Sequence, residues 1–231
     1  MTKYIGDELS VFECAKNWKK YFSTFLTPFI KGKTLEAGAG IGGTTSFLNS
    51  GQQSTWVCME PDVELLKQIE HKIKSGLLPS NCKCVGGTIK NLSETFDTII
   101  YIDVIEHIED DGKEISIALS KLSQGGHLII LVPAFNSLYS PFDKAIGHYR
   151  RYTKKMLRSL MPTGVLIKKS LYLDTTGFFS SLVNKYILKQ KEPTKNQVLF
   201  WDQILIKFSL FSDKIFFYQF GKSVFIVVQK V

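Results

Sequence analysis

The sequence predicts an α/β fold in which helices cover both faces of a mostly parallel sheet. Short apolar segments alternate with amphipathic helical segments over most of residues 1–135. Of the 231 residues, 44% are hydrophobic and 22% are charged, a balance typical of globular proteins rather than disordered ones. No apolar run approaches the ~18 residues of a membrane-spanning helix, and the first residues lack the apolar core of a secretory signal.

The positions of the apolar residues predict the elements in order. A helix is predicted over residues 9–29, where an apolar stripe recurs at three- and four-residue steps. Strands are predicted at 34–37, 54–59, 82–86, 96–102, 128–132, 165–169 and 223–229, the sixth from the weakest pattern. Further helices are predicted after residue 43, at 63–75, at 114–122 and over most of 174–222, and Gly125-Gly126 predicts a turn.

The cysteines do not indicate a metal site. Cys14, Cys58, Cys82 and Cys84 lack the paired spacing of zinc ligands, and the expected state is scattered reduced thiols in a cytosolic protein. No metal is therefore predicted.

The positive charge lies in the last part of the chain. Residues 1–143 carry 13 basic and 17 acidic side chains, whereas residues 144–231 carry 16 basic and 4 acidic ones. A basic, aromatic segment suggests a phosphorylated substrate, a membrane surface or nucleic acid as a partner. A lysine-rich surface that only contacts solvent is the alternative.

A glycine-rich turn is the strongest signal for a binding site. Gly38, Gly40 and Gly43 follow the first predicted strand with G-x-G-x-x-G spacing and precede a helix. Such glycines let backbone N–H groups approach a ligand, and the spacing alone would equally admit NAD. Glu60 ends the second strand 22 residues after Gly38, where a carboxylate can accept hydrogen bonds from both hydroxyls of a ribose.

Three further features resemble the class I methyltransferases. Glu36 stands two residues before Gly38, the segment Asp103-Val-Ile-Glu106-His107 follows the fourth strand, and Gly125-Gly126 precedes the fifth. The resemblance covers roughly residues 30–135 and the last strand. It implies a Rossmann-like class I methyltransferase fold, with a mostly parallel seven-stranded sheet, an antiparallel last strand and a helical cap. It also implies S-adenosyl-L-methionine, rather than NAD, as the cofactor.

The predicted organisation is one methyltransferase domain over residues 1–231. Residues 1–30 supply an N-terminal helix, 31–135 the cofactor-binding core, 136–222 a substrate-side segment with the helical cap, and 223–231 the last strand.

The resemblance assigns the cofactor to the ends of the first four strands. The glycines would line its methionine part, Glu60 would bind the ribose, and Asp103 would balance the sulfonium or orient the amine. After the third strand the family usually has an acidic or polar residue near adenine, and here Thr88 and backbone groups are expected to replace a carboxylate. The full set of predicted cofactor residues is Glu36, Gly38, Ala39, Gly40, Gly42, Glu60, Pro61, Thr88, Ile89, Asp103 and Val104.

The segment after the fifth strand resembles a type-11/12-like subgroup with a G-H-x-R-R-Y motif, here Gly147–Tyr152. It follows the carboxyl end of a parallel strand, where open α/β sheets bind ligands. Its guanidinium groups suit phosphate or carboxylate. The predicted substrate-binding residues are Tyr139, Arg150, Arg151 and Tyr152. The alternative is a structural lid in which Asp143 caps a turn or pairs with Arg150.

Three residues are predicted to act in catalysis. His148 and Asp143 are candidate general bases for an acceptor hydroxyl. His107 begins the segment after the fourth strand, where a structural role and a catalytic role both remain open.

The predicted function is S-adenosylmethionine-dependent methylation of a small, anionic or phosphorylated acceptor. O-methylation of a sugar, glycan or lipid-linked intermediate is the first choice. N- or C-methylation of a natural-product precursor and a catalytically silent partner subunit are the alternatives. Nucleic acid is not the expected partner, because no N-P-P-Y-like tetrapeptide follows the fourth strand.

The basic aromatic segment 177–220 leaves three possibilities open. It forms a cap over the active site, an amphipathic surface on anionic lipid, or a homodimer interface. The expected location is the cytoplasm, with the option of peripheral contact with the inner face of the membrane.

Overall fold

A computed structural model of the chain describes residues 8–188 and 192–231. Residues 1–7, at the start of the predicted N-terminal segment, and 189–191, within the predicted insertion, lie outside the described part. The strands are β1 (Lys33–Ala37), β2 (Thr55–Glu60), β3 (Cys82–Gly86), β4 (Phe96–Ile102), β5 (Leu122–Pro133), β6 (Val165–Leu173) and β7 (Ser223–Lys230).

These strands form one seven-stranded sheet in the order β3-β2-β1-β4-β5-β7-β6. The pairs from β3 to β5 are parallel, and β7 runs antiparallel between β5 and β6. The predicted fold is therefore confirmed: a mostly parallel sheet of seven strands with an antiparallel last strand. Because parallel strands β1, β2, β4 and β5 end at one edge, the residues that follow them lie near one another.

Ten α-helices cover the described part of the sheet and its carboxyl edge. They are α1 (Glu8–Phe12), α2 (Lys16–Leu26), α3 (Thr45–Leu48), α4 (Val63–Lys74), α5 (Asp111–Ser120), α6 (Pro141–Ala145), α7 (Lys154–Ser159), α8 (Thr175–Val183), α9 (Lys195–Phe200) and α10 (Ile206–Ile215). We call α8, α9 and α10 the cap. None of the helices within the described residues is long and apolar enough to cross a membrane.

The sheet is buried on both faces because successive side chains of its strands point to opposite sides. Leu35 and Ile99 pack into one apolar layer, while Trp56 and Ile100 pack into the other. All four are fully buried. The second layer includes α2 and part of the cap, so burial of these aromatic helices fixes them above the sheet's carboxyl edge.

The single helix predicted over 9–29 is wrong, because the structure breaks it into α1, α2 and a 3-10 turn at Thr27–Phe29. Ala15 stands at the N-cap of α2 and supplies no side-chain hydrogen bond. Asp202 supplies the cap instead, because its carboxylate accepts hydrogen bonds from the backbone N–H groups of Asn17 at 3.1 Å and Trp18 at 2.8 Å. The backbone N–H groups at the start of α2 are thus satisfied by a residue from a distant part of the chain.

The predicted turn at Gly125-Gly126 is also wrong. Both glycines lie within β5, where the pairing with β4 shifts register between Phe96 and Thr98. A Cβ atom at Gly126 would lie 2.9 Å from the Asp97 carbonyl oxygen, so this irregularity requires glycine. The weakly predicted sixth strand extends as far as Leu173, because β7 pairs with its whole length.

Two buried carboxylates connect the cap to the sheet. Asp213 on α10 accepts hydrogen bonds from the backbone N–H groups of Asp174 and Thr175 and from the Tyr21 hydroxyl, at 2.7–2.8 Å. Asp174 in turn accepts from the Trp201 indole N–H at 2.8 Å. Since charged acceptors are well satisfied here, the hydrogen bonds offset their desolvation and hold the cap over the cavity described below.

Candidate active site

A cavity of about 1310 Å³ opens between the carboxyl edge of the sheet, α1 and α2, and the cap. Its volume exceeds the usual range of about 300–1,000 Å³ for a small-molecule pocket, so it has room for two ligands. Gly38 and Glu60 line one side, Asp103 lies at the centre, and His148 and Arg151 line the opposite side.

The glycine-rich loop lines the first side with backbone. Gly38 and Gly40 have φ angles of 68° and 57°, in the left-handed region that other residues rarely adopt. A Cβ atom at Gly38 would lie 2.7 Å from Cγ2 of Val104. Gly38, Ala39 and Gly40 all line the cavity, whereas Gly42 does not and instead packs near Leu78, which follows α4.

Glu60 lies at the tip of β2, beside this loop. Its carboxylate accepts hydrogen bonds from the backbone N–H groups of Gly40 at 2.8 Å and Asp62 at 3.0 Å. The side chain is largely buried, and this burial raises the pKa of its carboxyl group, although the two N–H groups oppose the shift. Each carboxylate oxygen keeps further acceptor capacity for a ligand hydroxyl, and Pro61 next to it also lines the cavity.

Glu36 is not brought to the cavity. Its carboxylate lies inside the second apolar layer, where it accepts hydrogen bonds from the hydroxyls of Thr44 and Thr45 and from the indole N–H of Trp56, at 2.6–2.8 Å. Burial raises the pKa of this carboxyl group despite those bonds. Glu36 therefore anchors the start of α3 and positions the loop rather than contacting a ligand.

The predicted adenine region is divided between cavity and core. Thr88 lines the cavity together with Gly87, while Ile89 is fully buried in the first apolar layer. The Thr88 hydroxyl bonds to the Asn91 side chain at 3.1 Å, which closes a short 3-10 turn. The turn presents backbone and the Thr88 hydroxyl on this part of the wall.

Asp103 and Val104 follow β4 at the centre of the cavity. Asp103 has a φ angle of 53°, and its backbone N–H bonds to the Leu131 carbonyl at 2.8 Å. Its side chain is exposed to the cavity. A left-handed aspartate is uncommon, and here the bend turns the carboxylate into the space that both sides of the cavity share.

Opposite the loop lies a set of charged and aromatic groups that we call the polar wall: Glu106, His107, Asp143, His148 and Arg151. His148 Nδ1 lies 3.0 Å from Oδ1 of Asp143. Arg151 donates from Nε and Nη2 to the same carboxylate, at 2.8 and 3.0 Å. Burial raises the pKa of Asp143, but the hydrogen bonds and charges of His148 and Arg151 outweigh it and hold that pKa well below its usual range.

These contacts separate the two predicted bases. Asp143 is occupied by its partners and remains ionised, so it orients His148 rather than accepting a proton. The His107 ring lies edge-on to the His148 ring, with centroids 4.5 Å apart. Burial, followed by the nearby His148, lowers the pKa of His107 to about 4, which keeps it neutral at neutral pH.

The predicted substrate-binding residues are also divided. Arg150 binds the Asp111 carboxylate at 2.7 Å and the carbonyls of Ile108 and Glu109, and Tyr152 donates to Asp111 at 2.7 Å. Neither lines the cavity. Tyr139 braces the segment by donating to the His148 carbonyl at 2.6 Å. Of the four, only Arg151 reaches the cavity, and its buried Nη1 has no partner within the described residues.

Sequence reasoning missed several lining residues. The Nζ atom of Lys222, just before β7, lies 4.4 Å from the centroid of the Trp201 ring. Burial lowers the pKa of this ammonium group, and the charge of Asp174 opposes the shift. Trp18 and Lys19 on α2 line the cavity as well. The basic and aromatic composition was visible, but only the fold shows which members face inward. Glu106 could have been found from its place beside His107 in the motif after β4.

Known protein families and solved structures that resemble the chain agree with this geometry. A family model described as a methyltransferase domain matches residues 13–168, more than half of the chain. No curated protein matches the chain.

Solved methyltransferase structures resemble the fold at low sequence identity. Magnesium protoporphyrin IX methyltransferase from Synechocystis PCC 6803, with bound S-adenosylhomocysteine, has a TM-score of 0.62 and 12% identity, covering 100% of this chain and 90% of that one. An S-adenosylmethionine-dependent methyltransferase from Clostridium acetobutylicum has a TM-score of 0.60 and 14% identity, covering 97% and 95%. Coclaurine N-methyltransferase bound to N-methylheliamine and S-adenosylhomocysteine has a TM-score of 0.62 and 14% identity, covering 94% and 72%.

The fold, the glycine-rich loop and the family match lead to the same conclusion. The chain belongs to the methyltransferase domain family, and it is a methyltransferase.

Proposed function

We propose that this enzyme transfers the methyl group of S-adenosylmethionine to a hydroxyl of a small, anionic acceptor. The methyl donor is S-adenosylmethionine, as the sequence predicts. The observation that carries the proposal is that the glycine-rich loop with Glu60 and the polar wall face one another across a single cavity. Donor and acceptor bound on these two sides would meet near Asp103.

The donor side follows from the loop. Backbone at Gly38 and Gly40 leaves space for the methionine part, and Glu60 would accept hydrogen bonds from the ribose hydroxyls. Thr88 and Gly87 would lie beside the adenine. Asp103 would balance the positive sulfonium, because opposite charges attract more strongly inside a cavity than in bulk water.

The polar wall supports oxygen rather than nitrogen as the acceptor atom. An alcohol must lose a proton during methyl transfer, whereas a neutral amine attacks directly. The wall holds His148 in a fixed orientation through Asp143. The imidazole of His148, oriented in this way, would help the acceptor hydroxyl to lose its proton, and Asp143 serves as a positioning residue.

The charges on the acceptor side support an anionic acceptor. Arg151 presents an Nη1 that has no hydrogen-bond partner in the described part of the chain, and Lys222 lines the same cavity. Both would bind a phosphate or carboxylate on the acceptor. A sugar phosphate, a sugar nucleotide or a lipid-linked glycan has this chemistry, together with free hydroxyls for methylation.

Calorimetry and turnover test the proposal together. We expect S-adenosylmethionine to bind and NAD(H) not to bind in isothermal titration calorimetry. Turnover with sugar nucleotides, neutral sugars and amines, followed by mass spectrometry, should methylate the hydroxyl compounds that carry a negative charge. Methylation of amines alone would favour the N-methylation alternative, and donor binding without any turnover would favour a silent partner subunit.

The cap and the turn that follows α10 support a further proposal about partners. Phe208, Phe211 and Phe217 are 63%, 70% and 77% exposed, and Lys207 and Lys214 are exposed beside them. Exposed aromatic groups with interspersed lysines suit the surface of an anionic membrane, where a lipid-linked acceptor would be found. A second copy of the chain is the alternative occupant.

A further inference from the structure

Three residues of the polar wall converge in a way that methyl transfer alone does not explain. Glu106, His107 and His148 each offer one ligand atom, and these atoms all lie within 4.8 Å of one another. Glu106 and His107 belong to the 3-10 turn after β4, and His148 follows α6. The fold therefore assembles the group from two separate segments at the edge of the cavity.

Glu106 is the most informative of the three. Its side chain is fully buried, and neither carboxylate oxygen has a hydrogen-bond partner among the described residues. A buried carboxylate without a partner is costly, and native proteins normally supply a donor or a cation. Burial, followed by the nearby Asp103 carboxylate, raises the pKa of Glu106, and the Arg151 guanidinium opposes this shift. A cation bound directly to Glu106 would satisfy its oxygens and offset the charge of Asp103.

His148 is oriented as metal-binding histidines usually are. Asp143, held by Arg151 and Ser140, accepts the hydrogen of His148 Nδ1 at 3.0 Å. The other nitrogen, Nε2, then carries a lone pair and lies 3.8 Å from Oε1 of Glu106. A carboxylate that fixes the outer nitrogen of a histidine is the common second contact around protein-bound metals.

His107 completes the group from the other side. One ring nitrogen of His107 forms a hydrogen bond with the backbone of Ile146. The ring stands edge-on to the His148 ring, with the two centroids 4.5 Å apart. His107 also places one ring nitrogen within 4.8 Å of the ligand atoms of Glu106 and His148. Two imidazole nitrogens and a carboxylate oxygen thus surround one small space.

We propose that Glu106, His107 and His148 bind a divalent first-row transition-metal ion at the edge of the cavity. Two imidazoles and one carboxylate are typical ligands of Zn²⁺ and of other such ions, whereas Mg²⁺ favours oxygen ligands. Three ligand atoms bound at about 2.1 Å to one tetrahedral ion lie about 3.4 Å apart, so binding requires ligand atoms that are within 4.8 Å of one another here to approach by at most about 1.4 Å.

The position of the ion suggests what it does, and this step rests on the proposed function. Three protein ligands leave coordination positions open toward the cavity, where an acceptor hydroxyl would bind. The ion would lower the pKa of that hydroxyl, and its proton would leave to solvent. The oxygen then forms the bond to the methyl carbon as the S–CH3 bond breaks and its electron pair remains on sulfur. His148 Nε2 coordinates in this scheme and does not accept the proton.

Metal binding is tested directly on the full chain. Protein stripped with EDTA and dialysed is titrated with Co²⁺, monitored by visible absorption, and with Zn²⁺, monitored by calorimetry. We expect one ion per chain. We expect Glu106→Gln and His148→Gln to weaken binding at least tenfold. His127→Gln, at a largely buried histidine of β5 outside the group, is the matched control and should bind normally.

The variants must be shown to fold. Thermal unfolding of the metal-free proteins provides this check, and Glu106→Gln is expected to be at least as stable as the wild type because it removes a buried, unpartnered charge. Absence of stoichiometric binding by the wild type, or equal binding by wild type and both variants, would overturn the site.

The same samples separate this inference from the proposed function. Metal binding without S-adenosylmethionine binding would contradict the function and leave the metal site standing. Donor binding and full turnover in metal-free enzyme that also binds no added ion would contradict the metal site and leave the function standing. Metal binding with turnover that EDTA does not change would confirm the site and contradict its role in activating the acceptor.

Discussion

Glu60 combines two tasks at the scale of a single residue. Its carboxylate holds the loop through the Gly40 N–H, and it keeps acceptor capacity for the ribose of the donor. Glu60→Gln preserves shape but replaces one acceptor oxygen with an N–H2 group that faces backbone N–H donors. We expect S-adenosylmethionine affinity, measured by calorimetry, to fall about 10- to 100-fold, since a hydrogen bond to a charged group contributes about 1.5–3 kcal/mol.

The control for this change is Glu64→Gln. Glu64 is an exposed residue of the first turn of α4, and its carboxylate pairs with Lys67 on the surface. The substitution Glu64→Gln removes the same charge from the same side of the protein, and the affinity for S-adenosylmethionine should remain as in the wild type. Equal losses in both variants would mean that general electrostatics, rather than contact with the ribose, governs donor binding.

A substitution at Gly38 tests the conformation of the glycine-rich loop. Gly38→Ala forces alanine into the left-handed region, at a cost of about 1–2 kcal/mol, and places its Cβ atom 2.7 Å from Val104. We expect a lower midpoint of thermal unfolding and weaker donor binding. Adding Val104→Ala should recover the part of the loss due to the steric clash but not the backbone strain, which a double-mutant cycle measures. A Gly38→Ala protein as stable as the wild type would contradict the described loop.

Residue-level prediction from the sequence works where the backbone restricts the residue type. Gly38 and Gly40 could be placed in the loop because only glycine adopts their φ angles without strain. Arg150 could not be separated from Arg151 in this way. The two are adjacent and chemically identical, and only the tertiary positions of Asp111 and Asp143 decide that one is outside the cavity and the other inside.

At the scale of elements, the start of α2 depends on an N-capping residue that comes from a distant part of the chain. Asp202 accepts three hydrogen bonds from Asn17 and Trp18, and its negative charge lies at the positive end of the helix. Asp202→Asn removes the charge and places an N–H2 group toward these donors. We expect a loss of about 1–3 kcal/mol in the free energy of unfolding, measured with urea.

A second measurement identifies the affected element. Hydrogen exchange should become faster in residues 16–26, and donor affinity should fall because Trp18 and Lys19 line the cavity. Asp110→Asn, at the exposed N-cap of α5, is the matched control and should leave α2 unchanged. If hydrogen exchange in α2 is unaltered in the Asp202 variant, the helix does not need this N-capping residue.

This contact also explains which element boundaries could not be predicted. The apolar stripe of 9–29 continues through the break between α1 and α2, and no local glycine or proline marks it. The break is stabilised by Asp202, which is 184 positions from Trp18. In contrast, β3 and β4 were predicted with their observed ends, because polar residues and glycine bound each apolar run.

For the whole molecule, the fold was predictable because the βαβ alternation restricts how the chain can cross the sheet. The carboxyl edge, and with it the general place of the cavity, follows from that alternation. The cap was predictable only as a helical, aromatic segment, since the buried carboxylates Asp174 and Asp213 that orient it look like ordinary surface acids in the sequence.

The outer face of the cap leads to a prediction about the whole molecule. Residues 144–231 carry 16 basic and 4 acidic side chains, and exposed phenylalanines lie among exposed lysines on α10. We expect binding to phosphatidylcholine vesicles that contain phosphatidylserine, with weaker binding at high salt and to pure phosphatidylcholine. Flotation assays measure this.

Two substitutions decide whether the cap is the contact surface. Phe208→Ser with Phe211→Ser should reduce vesicle binding because each removes exposed aromatic surface without opening the core. Leu77→Ser, at a residue 66% exposed after α4, is the control and should bind as the wild type does. If the wild type instead elutes as a dimer that the double substitution dissociates, and ignores the vesicles, the exposed face is a subunit interface and membrane contact is contradicted.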